Sequence, residues 1–399
     1  MADTAVTLPL LRRTITCKSA LEEEENILLE LDYPEQRIDF FVSLYSRREA
    51  VQNIASYHLG QACQLGEVSE WLHGSFNVCI PLYIGNAKRA IIRFPLPYKV
   101  GEFTHPGNVD EKLRCEAATF IWLQQNCPDV PIPRLWAFGL VGGNSFTTPQ
   151  RVSFPTRALW YLKRCMEWLS GSILPCPYVP SRRSALLDSG YLIMDYVGDS
   201  EVQMLSDSWD DQRDDRTKRT NLFKGLSRVI LSLSQVPLPR IGSWTLDPGG
   251  VLRLSNRPLT LRLHQLENAH IPSNISRDLT YSSSEAYYHD QLSCHDSRIR
   301  HQPNSVSDED DGRAQMARLT LMRALLPHFL DRSHREGPFL YRLTDLHPSN
   351  IFLDSNWHIK CVIDLEWASS LPAETLRVPD LQTYTPAISF SIATGTSNA

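Results

Sequence analysis

The sequence predicts an α+β chain of two lobes, an antiparallel-sheet N-lobe followed by a mainly helical C-lobe. Three observations carry this. Val78, Ile80, Leu82 and Ile84 alternate up to a Gly85-Asn86 turn, and a second apolar run, Ala90 to Phe94, follows, which is the pattern of a β-hairpin. After Gly198 the apolar spacing becomes mainly helical. The length, 399 residues with 42% apolar and 21% charged, suits one two-lobed protein at roughly 150 residues per domain.

In chain order, Ser19 to about Gly60 has Ile27, Leu28, Leu31, then Phe40, Phe41, Leu44 and Tyr45 at helical spacing, with a break expected at Tyr33-Pro34. Residues 1–60 are thus expected as a helical extension, a lid or a brace. Leu65 to Leu72 is expected as a third strand beside the hairpin. Asp110 to Gln125 reads as a helix that Pro128, Pro131 and Pro133 close. Leu135 to Phe138 and Tyr191 to Tyr196 read as strands, the latter an edge strand, with an irregular insertion at about 140–190 between them. The N-lobe then spans 61–197 and the C-lobe 198–377. Within the C-lobe, Arg213 to Leu233 and Ala314 to Leu330 are helices, Ile241 to Leu254 is a hairpin, and Asn304 to Gly312 is a solvated acidic loop. Short strands follow at Phe339 to Leu343, Ile351 to Leu353 and Ile359 to Ile363. Residues 378–399, rich in Thr, Ser and Ala, read as a disordered tail.

Composition narrows the function. A net charge of −5 argues against a strongly basic nucleic-acid binder. No apolar run approaches the ~18 residues of a membrane span. The nine cysteines include no C-x-x-C pair, which argues against a disulfide framework or zinc module. The expected compartment is the cytoplasm, with the mitochondrial matrix as the alternative left open by Arg12, Arg13 and Lys18 near the start.

The most informative segment is T-D-L-H-P-S-N, Thr344 to Asn350, with Asp364 fourteen residues after Asn350 in I-D-L-E. Phosphoryl transfer needs an aspartate to accept the proton of the attacking hydroxyl, and an amide oxygen with a second carboxylate to hold Mg²⁺ against a triphosphate. Asp345, Asn350 and Asp364 have this order, and the D-L-x-x-x-N spacing resembles the catalytic loop of kinases. The loop H-G-S-F-N, with Gly74, Ser75, Phe76 and Asn77 between two strands, is a Gly-poor candidate for covering phosphates. Arg93, sixteen residues after Asn77, stands where a cation would clamp them. Glu116 on the following helix is expected to hold Arg93, with Glu111 as the competing partner. Backbone groups from Asp195 to Val197 would bond an adenine edge.

With these pieces in order, the chain resembles the aminoglycoside phosphotransferase superfamily, and within it a fungal group of kinase-like proteins. The resemblance covers about Val68 to Ala373. Besides the loops above it includes I-I-R-F-P, V-P-I-P-R-L, Y-L-I-M-D-Y-V-G, I-D-L-E-W-A and S-N-R-P-L at Ser255 to Leu259. It implies a protein-kinase-like fold with ATP and Mg²⁺ as cofactors, Asp345 as general base, Asn350 and Asp364 as metal ligands, and Arg93 as the phosphate clamp supported by Glu116. Three departures stand out. Leu343 occupies a position often held by His, the clamp is Arg rather than Lys, and only 35 residues follow Asp364, so the C-lobe is expected to be truncated.

The expected function is transfer of the γ-phosphate of ATP to a hydroxyl of a small molecule, without nucleic acid and without a membrane span. The alternative is a kinase-like binding or scaffold protein that transfers nothing, which the Gly-poor loop, Arg93 and the short C-terminus would suit.

Overall fold

The computed structural model describes residues 6–182, 190–198 and 201–376. The chain opens with a ribbon, β1 (Thr7–Pro9) and β2 (Thr14–Thr16), and three helices, α1 (Cys17–Glu22), α2 (Ile27–Ser46) and α3 (Arg48–Leu59). The break expected at Tyr33-Pro34 does not occur; α2 runs through Pro34. Tertiary contacts override the local signal: the buried Tyr33 ring lies under Lys99, 3.8 Å from its centroid, and its hydroxyl accepts from Asn268 at 2.7 Å. The chain turns instead at Arg47, and α3 ends on Gly60 in the left-handed conformation.

The N-lobe continues with β3 (Gln64–Leu65), β4 (Leu72–His73), β5 (Asn77–Ile84), β6 (Ala87–Pro95), α4 (Asn108–Asn126), β7 (Leu135–Gly139), β8 (Asn144–Thr147), α5 (Phe154–Leu169), β9 (Val179–Arg182) and β10 (Tyr191–Asp195). The strands form one antiparallel sheet in the order β3-β5-β6-β10-β7-β8-β9, with β4 also on β5. Three expectations change here. The single strand expected over Leu65 to Leu72 is two short pieces around a 3₁₀ turn at Val68–Glu70. The stretch at about 140–190 is not irregular where described, because β8 and β9 extend the sheet and α5 stands between them. β10 is not an edge strand; it lies between β6 and β7.

Alternation along the strands sets what each face buries. Ile80, Ile92, Phe94 and Ile193 pack against α2 and α3, so the N-terminal helices brace the outer face. Leu192 and Met194 face α4 and the C-lobe. By the same period Arg93, between Ile92 and Phe94, points to the α4 side.

The C-lobe comprises β11 (Gln203–Met204), α6 (Leu205–Gln212), α7 (Arg216–Ser234), β12 (Ser243–Leu246), β13 (Leu252–Asn256), α8 (Leu261–Asn268), α9 (Ser284–His301), α10 (Glu309–Phe329), β14 (Leu340–Leu343), β15 (Ile351–Leu353), β16 (Ile359–Val362) and β17 (Ala368–Leu371). β11, β15 and β16 form one small sheet, β12 and β13 the expected hairpin, and β14 pairs with β17. The acidic stretch expected as a loop opens α10: Asp308 caps it, accepting from the Asp311 N–H at 2.8 Å, and Glu309, Asp310 and Asp311 fill its first turn, where the helix dipole favours carboxylates. β17 lies among the residues after Asp364. The expected tail, 378–399, falls outside the described residues. The architecture is therefore α+β with an antiparallel-sheet N-lobe and a mainly helical C-lobe. Among the described residues no helix is long and apolar enough to cross a membrane.

Candidate active site

Two loops of the C-lobe meet the buried face of β6. In the first, the Asn350 N–H donates to the His347 carbonyl at 2.9 Å, and the Asn350 side chain donates to the Asp345 carbonyl at 2.9 Å and to its carboxylate at 3.4 Å. The Ile363 N–H donates to the Asn350 carbonyl at 2.9 Å, which ties the second loop to the first. Asp364 follows with φ +64, a left-handed conformation that aspartate tolerates better than most residues. The bend returns both Asp364 and Glu366 toward β6.

Arg93 is the hub. Its guanidinium donates to Glu116 at 2.9 Å, to Glu366 at 2.5 Å and to Asp364. The competition between Glu116 and Glu111 is thereby resolved for this structure in favour of Glu116. A second cation, Lys112, is fully buried one turn before Glu116 and donates to Glu366 at 2.5 Å and to Asn77 at 2.7 Å. Asn77 closes the network by donating to Glu366 at 2.7 Å.

Three carboxylates, Glu116, Asp364 and Glu366, thus face two cations, Arg93 and Lys112, leaving one negative charge uncompensated beside Asp345. Burial, and then the charges of Asp364 and Glu366, push the Asp345 carboxyl up to about 8. Burial alone would raise Asp364 as well, but the Arg93 guanidinium more than offsets it and holds the carboxyl below its usual range. Burial lowers His347, whose ring stands 3.8 Å from Asp345.

Oxygen atoms of Glu116, Asp364 and Glu366 lie within 4.8 Å of one another, a spacing that could hold a cation. The Arg93 guanidinium contacts all three residues, so that space is held by a side chain. The residues expected to hold Mg²⁺ offer oxygen donors of the kind it takes, the Asn350 amide and the Asp364 carboxylate, and Glu366 Oε1 is buried without a hydrogen-bond partner.

The remaining candidates are placed differently. The Gly74 N–H donates to the Asn77 carbonyl at 2.9 Å. Phe76 is half-buried with its ring edge-on to Trp367, centroids 5.6 Å apart, and Ser75 stands beside it in the same turn. Asn77, expected at the phosphates, is instead buried with its amide shared between Lys112 and Glu366; as the first residue of β5 it alternates onto the α4 side. Asp195 accepts from the Trp136 indole at 2.7 Å, and its own N–H donates to the Arg134 carbonyl at 3.0 Å. Leu192 pairs with Arg93 and Asp195 with Ala90, so Asp195 sits one strand over and about 10 Å along from Arg93. Val197 follows it, half-buried. Asp345, Asn350, Asp364, Arg93 and Glu116 are brought together; Asp195 and Val197 stand apart.

Sequence reasoning missed Lys112 and Glu366. Glu366 stood in plain view in I-D-L-E. Lys112, four residues before Glu116, reads as half of a solvated helix pair, and only the strand-to-helix packing buries it.

No protein-family model matches the chain, and no curated protein does. Among solved structures it is similar to a putative aminoglycoside phosphotransferase from Ralstonia eutropha JMP134, at 13% identity and a TM-score of 0.42, with 82% of this chain and 66% of that one covered. The chain thus spans just under two thirds of that structure's length.

Proposed function

We propose that the chain is an ATP-dependent phosphotransferase that moves the γ-phosphate to a hydroxyl of a small molecule. In this reading 61–197 binds the nucleotide, 198–377 carries the catalytic loop, and the nine free cysteines suit the cytoplasm. The observation that supports it most is the reach of Arg93 from β6 to Glu116 and Asp364 together, beside the Asn350–Asp345 hydrogen bond. A strand cation, a helix glutamate, a candidate metal-ligand pair and a candidate base thereby share one cleft, an arrangement that phosphoryl transfer can use.

Asp345 is the base. It accepts the proton of the acceptor hydroxyl as that oxygen bonds to the γ-phosphorus, the bond to the bridging β–γ oxygen breaks and ADP leaves. Mg²⁺ held by Asn350 and Asp364 would carry the charge on the phosphate oxygens. With its pKa at about 8, Asp345 is mostly protonated at neutral pH in the free protein. A cation held at Asp364 would offset the carboxylate repulsion, which is second to burial in holding the proton there. The ~10 Å between Arg93 and Asp195 lets β10 span a nucleotide from its phosphates to an adenine bonded by backbone near Val197.

A second reading, nucleotide or partner binding without transfer, draws on the phosphate loop. The Gly74 N–H and the Asn77 amide already have partners within the protein, so the loop offers phosphates less than a Gly-rich one does. Two measurements separate the readings: thermal unfolding with and without MgATP on wild type and Asp364→Ala, and ATP consumption across an acceptor panel with Asp345→Asn. Transfer predicts a Mg²⁺-dependent stabilisation lost in Asp364→Ala, and turnover that Asp345→Asn lowers by at least about a hundredfold while sparing binding. Unchanged turnover in Asp345→Asn refutes the base assignment, and stabilisation without turnover favours the second reading.

A further inference from the structure

Glu116, Asp364 and Glu366 gather around a guanidinium that satisfies them incompletely. Arg93 Nη1 donates to Glu116 at 2.9 Å, and Nη2 is shared between Glu366, at 2.5 Å, and Asp364. Glu366 Oε2 also accepts from Lys112 and Asn77, whereas its Oε1 is buried without a hydrogen-bond partner, and so is Arg93 Nε. Orphaned buried polar atoms are costly, and these two belong to one cluster. Positive charge is also short, since three carboxylates face two cations. A divalent ion in place of the guanidinium removes the excess negative charge, and hard divalent ions take carboxylate oxygens.

We infer that Arg93 is a removable plug, whose guanidinium closes the carboxylate cluster to divalent ions until it releases Asp364. Exposure decides which contact opens. The Asp364 side chain is 25% exposed, against 1% for Glu116 and Glu366, so an ion from solvent meets Asp364 first. Among the described residues the ion pair of Asp364 is with Arg93 alone. Lys112 stays out of the exchange. It is fully buried, donates to Glu366 at 2.5 Å and to Asn77 at 2.7 Å, and lies 4.0 Å from Glu116. The Arg93 backbone is held in β6, opposite Cys79 of β5 and Leu192 of β10, so the exchange is a side-chain movement. On the phosphotransferase reading, which this deepens, the phosphates of a nucleotide take up the freed guanidinium, and ion and nucleotide enter together. Lys112 then remains as the counter-charge of Glu366.

The test uses the full chain without nucleotide and without turnover. Mn²⁺, which takes the same oxygen ligands as Mg²⁺, is the probe, and its binding is titrated by electron paramagnetic resonance. Four proteins are compared: wild type, Arg93→Met, Arg93→Met with Glu116→Gln, and Arg93→Met with Asp364→Asn. The Glu116→Gln change restores the wild-type charge balance and guards against a fold lost to an overcharged cluster. Folding is checked first by circular dichroism. Wild type is expected to bind Mn²⁺ weakly, and Arg93→Met and its charge-balanced form at least about tenfold more tightly. Asp364→Asn is expected to abolish that gain, and Mn²⁺ to raise the melting temperature of Arg93→Met but not of wild type. Binding by wild type as tight as by the folded variants overturns the inference, and so does a gain that survives Asp364→Asn. If neither variant folds alone, Mn²⁺ is expected to restore the fold, and a failure to do so also overturns it. Gained Mn²⁺ binding in a protein that MgATP does not stabilise keeps Arg93 as the plug and removes the transfer reading. MgATP stabilisation of wild type with no gain in the variants does the reverse.

Discussion

Replacing Asp345 by asparagine isolates one buried charge, because the amide matches the protonated acid in shape and carries no proton to lose. The carboxyl is pushed from 3.8 to about 8, roughly four units. At about 1.36 kcal/mol per unit this sets a ceiling near 5 kcal/mol on what ionising it costs the folded state. The side chain is 23% exposed, and Arg93 partly screens it, so about 2 kcal/mol is the working expectation. The sign is fixed by where the proton sits. Between the unfolded and folded pKa values the folded protein keeps the proton that the unfolded chain has lost. Wild-type stability from this group therefore falls as pH rises from about 4 to about 8 and is level above that. Asp345→Asn lacks the fall. Urea unfolding without nucleotide or divalent ions is expected to show near parity at or below about pH 4 and a variant more stable by about 2 kcal/mol at about pH 8.5. A difference between the two proteins that is the same at both pH values refutes the reasoning.

Two further outcomes follow from the buried pairs. Arg257 forks onto Glu111 at 2.9 and 2.8 Å and onto Glu267 at 2.5 and 3.0 Å, so Arg257→Met strips Glu267 of that cation and leaves Glu111 only Arg277, at 3.2 Å. A loss of about 3–5 kcal/mol in urea unfolding is expected, and a loss under about 1 kcal/mol contradicts it. Burial would raise Glu111 and Glu267, yet His264 and Arg257 at Glu111, and Arg257 at Glu267, hold both below the usual range, so wild-type stability falls as pH drops below about 4.5, a slope that is shallower in the variant. In the cleft, Lys112→Met and Glu366→Gln each strand a partner of the other. Their double-mutant cycle is expected to give a coupling of at least about 1 kcal/mol, and strictly additive losses would show that the pair is not a unit.

What was legible in the sequence was periodic or spaced. Alternation located β5 and β6, and the D-L-x-x-x-N and I-D-x-E spacings located two loops that meet because β15 and β16 pair. What was not legible depended on partners far along the chain. Nothing near Pro34 announces Lys99 and Asn268, which hold α2 continuous. Nothing near Asn77 announces Glu366, 289 residues away, which engages its amide. Asp308 was a matter of context of another kind: the same carboxylates suit a solvated loop or a helix start, and the choice is made by the apolar run that follows.

Helix α4 connects these observations. Lys112 and Glu116 lie one turn apart on the side facing β6, while Glu111, on the neighbouring stripe, meets Arg257 from the segment after β13. One rigid element therefore holds both the cleft network and the contact to the C-lobe. Swinging α4 out to open the cleft would pull Glu111 from the Arg257 fork and cost several kcal/mol, since it separates a buried bidentate pair. In the turn from His73 to Phe76, Phe76 meets Trp367 of the C-lobe edge-on, a pair worth about 1 kcal/mol beyond its buried area.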